Sequence, residues 1–488
     1  MNRRGFHSDT PVHDPSCFVD EDGKYYLFGS HMTAAESTDL RYWTMFAEDV
    51  SPKNPLFSNL FDREVGAFDY VGKFDGGEDY AVWAPNVSYN AYLRKYVMYF
   101  CTSGSFMKSC LCMATADEVK GPYKFERILL YSGFSAETVG QTNVQQETGS
   151  FDMERYLDDK GEYNYMLWPN CIDPNTFHDA DGRFWMVYGS WSGGIFLIEI
   201  DEQTGLLKHN MKADYNSDPY FGKRLLGGNH HSMEGASIYY DKDTTYYYLF
   251  VSFGQLTREG GYQIRMFRSQ NVDGPYVDMK GRTAQFVEHH EEYGVKLIGN
   301  YLFPGMLRAY KSPGHNSVLL TPDDKKYIVY HQRFEMLYEI HEPRVHQVFP
   351  TPDDWLTVCP FATLGEGLKD KVYTEREMHG VYYLIDHGRG ITHEVNQAQM
   401  VELTEDGRIL LLPSGVGLSS VAMGVGDSKP GLDLVGMYEM TEHAGIQFSF
   451  GRNGYSGVII EMEDESGNPT LSISGVGGNH SIWAVRYF

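Results

Sequence analysis

Apolar residues in this chain recur at every second position over short runs, and the three-to-four spacing of an amphipathic helix is scarce. Lys24-Tyr-Tyr-Leu-Phe28, Tyr96-Val-Met-Tyr-Phe100, Phe184-Trp-Met-Val-Tyr188, Tyr246-Tyr-Tyr-Leu-Phe250 and Tyr327-Ile-Val-Tyr330 all predict β-strands. Each closes the same repeated phrase of a short strand, an acidic or glycine turn, and an aromatic strand. The copies begin near residues 13, 83, 172, 234 and 314, at intervals of 70, 89, 62 and 80 residues. Each interval has room for a four-stranded antiparallel unit with its loops. Five such units predict an all-β fold, a five-bladed β-propeller over residues 1–362. A second echo agrees: Ala116-Asp-Glu-Val-Lys-Gly-Pro-Tyr123 and Ser269-Gln-Asn-Val-Asp-Gly-Pro-Tyr276 fall late in the second and fourth copies, as turns before an outer strand.

Beyond about residue 360 the phrase stops. Alternating segments such as Val381–Ile385, Arg408–Leu412, Gly445–Phe450, Gly457–Glu461 and Ile482–Arg486 predict a smaller β-sandwich or β-barrel over residues 378–488, joined by a linker at about 363–377. Residues Gly415 to Gly426 superficially resemble a dinucleotide loop, but the third glycine is misplaced and no βαβ pattern surrounds it.

In a propeller the first strand of each blade lines the central channel, so equivalent positions converge on one axis. The following turn sets the register. Asp14 lies nine residues before Gly23, Asp173 nine before Gly182, Glu234 nine before Asp243 and His315 nine before Asp324, while twelve back from Tyr96 is Ala84. Three carboxylates and an imidazole are thereby expected to face one another. Like charge and desolvation push at least one carboxyl pKa up in such a site. Two opposed carboxyls with separated pKa values are what glycoside hydrolysis uses, one to protonate the leaving oxygen and one to act on the other face of the sugar.

Composition narrows the partners. Against 41 Lys and Arg stand 66 Asp and Glu, a formal net charge of −25 over 488 residues, which disfavours nucleic acid and anionic membrane surfaces and favours a neutral glycan over a galacturonan. No stretch has the apolar length of a spanning helix. Met1-Asn-Arg-Arg-Gly leads into polar residues with no apolar core of a secretory signal, so the compartment stays open: cytoplasmic if Met1 is native, secreted if a signal was trimmed. The six cysteines are scattered and read as free thiols, and His230, His231, His289 and His290 read as loop residues.

Several of these segments carry a resemblance. Val12-His-Asp-Pro15, Trp83-Ala-Pro85, Pro169-Asn-Cys-Ile-Asp-Pro174, Tyr188-Gly-Ser-Trp-Ser-Gly-Gly-Ile195 and Glu234-Gly235 resemble the glycoside hydrolases of family 43, five-bladed propellers that cleave arabinose- and xylose-containing polysaccharides with inversion. Arg344-Val-His-Gln-Val348, Trp355, Pro360 and Gly380-Val-Tyr-Tyr-Leu-Ile-Asp-His-Gly388 are similar to the two-domain endo-α-1,5-L-arabinanases, and Cys171 departs from the small residue usual there. The resemblance implies Asp14 as general base, Glu234 as general acid and Asp173 as the carboxylate that orients the acid and raises its pKa. It implies Trp83, Asn170 and Ser190 as substrate-binding residues, and His315 as the histidine associated with a bound ion, usually Ca2+. Exo-acting α-L-arabinofuranosidase or β-xylosidase action, or a non-catalytic glycan-binding propeller, remain alternatives on the same scaffold.

Overall fold

The computed structural model describes residues 10–362, 365–413 and 432–488. The dinucleotide-like segment, the first residues of the chain and part of the expected linker lie outside them. All five aromatic runs are strands: Tyr25–Gly29, Lys95–Ser103, Phe184–Tyr188, Tyr246–Phe253 and Lys326–Phe334. Each pairs antiparallel with the short strand before it: Ser16–Val19, Ala81–Asn90, Asn175–His178, Met233–Asp241 and Tyr310–Leu320. Third and further strands complete five sheets. Where neighbouring sheets cover both faces the alternation is lost, and all eight residues of Ser109–Ala116 are buried.

The five short strands are neighbours in a ring. Ser16–Val19 lies beside Ala81–Asn90 and Tyr310–Leu320, Asn175–His178 lies between Ala81–Asn90 and Met233–Asp241, and Met233–Asp241 lies beside Tyr310–Leu320. The arrangement is propeller-like. The Gly-Pro-Tyr echo is structural as well, since Tyr123 and Tyr276 are fully buried and donate to the carbonyls of Val119 and Val272 at 2.8 and 2.9 Å.

The C-terminal segments form a barrel, which removes the sandwich alternative. Strands Gly380–Asp386, Gln399–Leu403, Arg408–Leu411, Asp433–Met440, Gly445–Phe450, Asn453–Glu463, Pro469–Gly477 and His480–Tyr487 pair in succession, and the last also pairs with the first. Closure of this kind leaves no free sheet edge. The barrel is joined to the fourth sheet by a parallel pairing of Lys296 with His480. Between its first two strands the chain runs back over the fourth and fifth sheets as a strap, residues 387–397. Buried side chains satisfy its backbone oxygens: Lys296 and Gln263 donate to Gly390, Arg265 to Arg389, and Asn300 to Thr392 and Glu394. An unpaired carbonyl buried there would cost about 1–3 kcal/mol, which accounts for so many polar residues in an otherwise apolar seam.

Candidate active site

The first strands deliver their side chains to the channel through a shared kink. Asp14, Ala84, Asp173, Gly235 and His315 all have left-handed backbone, with φ between 42° and 59°. In the second, fourth and fifth sheets strand pairing skips at this point, after Trp83, Glu234 and Gly314. The register read from the sequence is therefore off by one in the fourth copy: Gly235, not Glu234, stands at the place of Asp14. The cause is a longer hairpin. Tyr240 pairs with Tyr247, a gap of seven residues, whereas Val19 pairs with Tyr25 across six. Glu234 instead shares the position of Trp83.

Asp14 is held on several sides. His13 Nδ1 lies 2.8 Å from Oδ2, the Ser30 hydroxyl donates to Oδ2 at 2.6 Å, and His315 Nδ1 lies 3.1 Å from Oδ1. Ser30 in turn accepts the Ala84 N–H at 2.9 Å. Arg333 can only donate, so His13 Nε2, 3.3 Å from its guanidinium, accepts and the His13 proton sits on Nδ1, facing Asp14. Burial alone would raise the Asp14 pKa, but the adjacent His13 and His315 outweigh it and hold the carboxyl well below its ordinary range.

The other two carboxyls move the opposite way. Asp173 is pushed up to about 7, first by burial and then by Glu234 and Asp14, against the pull of His315 and of the Gly235 N–H, which donates to Oδ2 at 3.1 Å. Glu234 is raised by burial, and its hydrogen bonds from Tyr262 (2.8 Å, to Oε1) and Ser190 (3.1 Å, to Oε2) only partly offset that. His315 is raised to about 9: burial opposes its charge, but Asp14 and Asp173 favour it more. One ionised carboxylate and two proton-retaining carboxyls in a single channel can remove a proton from water on one side and supply one to a leaving oxygen on the other.

The remaining expected residues are distributed as follows. Trp83 is half-buried and edge-on to Phe74 at 5.0 Å, and Phe74 meets the exposed Phe106 at 5.4 Å, forming an aromatic ledge. Asn170 is buried, its amide donating to the Phe106 carbonyl and accepting from Ser132, so it fixes the ledge loop. Ser190 is also buried, with its hydroxyl on Glu234. Ser30 and Tyr262 lie outside the repeated phrase, and His331 and Arg333 fall on its last strand beyond the aromatic run that marks it, so none of the four carried a sequence signal. His13 was visible only as the neighbour of Asp14. His231 and His290 stack on each other at 4.6 Å, and all six cysteines are free.

Ligand atoms of His13, Asp14 and His331 lie within 4.8 Å of one another. The two rings are stacked at 4.1 Å and 21°, so their in-plane lone pairs run side by side and do not converge on one ion. His315 is better placed for a hard cation. Its Nδ1 faces Asp14; Nε2 can ligate only once an ion displaces the proton that the neighbouring carboxylates hold on the ring, and the side-chain oxygen of the adjacent channel residue Asn316 has no hydrogen-bond partner among the described residues. An orphaned oxygen beside clustered carboxylates fits an oxygen-seeking ion.

Comparison with known proteins places this site in a family. Residues 143–356 match the model of the glycosyl hydrolases family 43. The chain is 36% identical over 495 residues to an extracellular endo-α-(1→5)-L-arabinanase 2 of Bacillus subtilis strain 168, covering 98% of this chain and 93% of that one. The chain belongs to glycosyl hydrolases family 43. A second relative, an extracellular endo-α-(1→5)-L-arabinanase of Thermotoga petrophila, is 36% identical over 82% of this chain and 80% of its own length. The crystal structure of an endo-1,5-α-L-arabinanase from Thermotoga petrophila RKU-1 superimposes with a TM-score of 0.81 at 31% identity, covering 99% of this chain and all of the other. The likeness of this family 43 chain to that structure thus includes the C-terminal barrel.

Proposed function

We propose that the protein is an inverting, endo-acting hydrolase of α-1,5-L-arabinofuranosidic bonds in arabinan or arabino-oligosaccharides. The observation that carries the reading is the division among three carboxyls of one channel: Asp14 kept ionised by His13 and His315, Glu234 and Asp173 raised. Asp14 is the general base that activates water. Glu234 is the general acid, steered by Tyr262 and Ser190. Asp173, bonded to the backbone next to Glu234, orients the acid, and it adds to the rise in the Glu234 pKa when it is ionised. The arabinanase names of the relatives supply the substrate class, a neutral arabinose-containing glycan, and the Trp83–Phe74–Phe106 ledge offers ring faces on which furanose rings pack.

The five sheets, with their first strands ringed about the channel, support a five-bladed propeller over residues 1–362, followed by the barrel over 378–488. Calcium is the proposed ion; it would be held by Asn316 Oδ1, water and His315 Nε2, displacing the second proton of that ring. When bound it supplies positive charge near Asp14, which favours the ionised base.

Product analysis on linear arabinan, branched arabinan and xylan tests the reading. Internal cleavage of linear arabinan, with NMR of the first-formed sugar showing inverted configuration, is expected. Arabinose released only from chain ends, activity confined to xylan, or retained configuration overturns it.

A further inference from the structure

Asp14 and Glu234 are held by opposite ends of one stack of rings. Tyr262 donates to Glu234, His13 faces Asp14, and between them lies His331, fully buried, 4.1 Å from the His13 ring and 5.7 Å from the Tyr262 ring, at interplanar angles of 21° and 16°. The stack is seated tightly. A β-carbon at Gly314 would lie 2.0 Å from Tyr262 Cε1, so only glycine leaves room for that ring.

His331 also touches Asp14 directly. The Asp14 N–H points to His331 Nδ1 at 3.3 Å, and Asp14 Oδ1 lies 3.5 Å from the same atom. An atom that accepts from an N–H carries no proton, so His331 is the uncharged tautomer with hydrogen on Nε2. Its surroundings agree: burial, His13, Arg333 and His341 hold it well below the usual histidine range, against Asp14. Asp14 has φ near 50°, a conformation that costs a non-glycine residue energy unless its surroundings fix it. The His331 acceptor is one such fixture.

We infer that His331 is a positioning residue that sets Asp14 and Glu234 against each other: its Nδ1 pins the backbone of the base, and its ring faces support both Tyr262, which steers the acid, and His13. This rests on the reading of Asp14 as base and Glu234 as acid. The two contributions are separable. His331→Phe keeps a flat ring in the stack and loses the acceptor for Asp14. His331→Asn offers an oxygen near the place of Nδ1 and loses the ring.

The test compares kcat on arabinan with kcat on an aryl arabino-oligosaccharide whose phenol leaves without protonation. A misplaced base slows both substrates, whereas a misplaced acid slows arabinan selectively. His331→Phe is expected to lose about 10- to 100-fold on both, the scale of an ångström's misplacement. His331→Asn, which removes the ring that supports Tyr262 as well as His13, is expected to lose more on arabinan than on the aryl substrate, with KM changing little in either. Wild-type rates, or losses in the same ratio on both substrates for the two variants, overturn the inference. Asp14→Asn and Glu234→Gln run in parallel: if they stay active the acid and base reading fails, and if they are dead while both His331 variants are unimpaired only the stack fails. Should the variants not fold, NMR of the wild-type enzyme with labelled histidine decides. A neutral His331 protonated on Nε2 supports the role, and a proton on Nδ1 overturns it.

Discussion

Gly235 lies so close to His315 that a β-carbon at position 235 would sit 2.9 Å from both Cα and Cγ of that histidine. Its φ of 59° adds about 1–2 kcal/mol against any side chain. Gly235→Ala is therefore expected to lower thermal stability and to reduce kcat, since relief of the clash must move either the Glu234 backbone or the His315 ring. Circular-dichroism melting and turnover on arabinan check both, and full activity at unchanged melting temperature would contradict the geometry.

Asp14→Asn and Glu234→Gln preserve volume and remove one proton-transfer group each. Both should abolish arabinan hydrolysis while leaving the fold intact. On an aryl arabino-oligosaccharide with an acidic phenol, Glu234→Gln should recover much of its rate and Asp14→Asn none, because water still needs a base. Equal losses for Glu234→Gln on both substrates would move the acid assignment to Asp173.

Tyr262 bonds the ionised form of Glu234 and so opposes the rise in its pKa. A general acid works while protonated, and activity falls as pH rises through its pKa. Tyr262→Phe should raise that pKa further and carry the alkaline limb of kcat/KM upward by about one pH unit. Ser190→Ala should shift it the same way by less. A limb that stays in place in both variants would show that another group sets it.

Lys296 bonds the Gly390 carbonyl, and burial, with Arg265 nearby, pulls its pKa down to about 7. An unfolded lysine titrates near about 10.4, so between these values the unfolded chain binds more protons than the folded one. Stability then rises with pH across that window on account of this residue, and its penalty is complete below about 7. Lys296→Met should flatten the rise, measured as the difference between variant and wild type in denaturant unfolding at pH 7 and 9.5. A difference independent of pH would mean that the amine is solvated.

Much of this was legible in the sequence, for identifiable reasons. Phe184–Tyr188 and Gly445–Phe450 are strands over the ranges the sequence marks, the first because a strand buried on both faces is a short continuous apolar run, the second because a half-buried strand alternates. Asp14, Asp173 and His315 were legible because a repeat fixes their position. Glu234 was found by a count that the structure shifts by one, since hairpin length varies between copies while the kink does not. Asn170 and Ser190 were expected to meet substrate and are engaged by Phe106, Ser132 and Glu234, which only side-chain packing decides. His331 comes from a second strand and Tyr262 from the residue just before a third, and the sequence there records burial alone.

The contacts that keep Asp14 ionised also fasten the first sheet of the ring to the fifth. Its N–H meets a residue 317 positions away, His13 meets Arg333 across 320, and His341 meets the Pro11 carbonyl across 330. Ring and site have one clasp. A growing chain holds no competent base until its fifth sheet has emerged and come back to its first, so catalysis is among the last properties to be acquired.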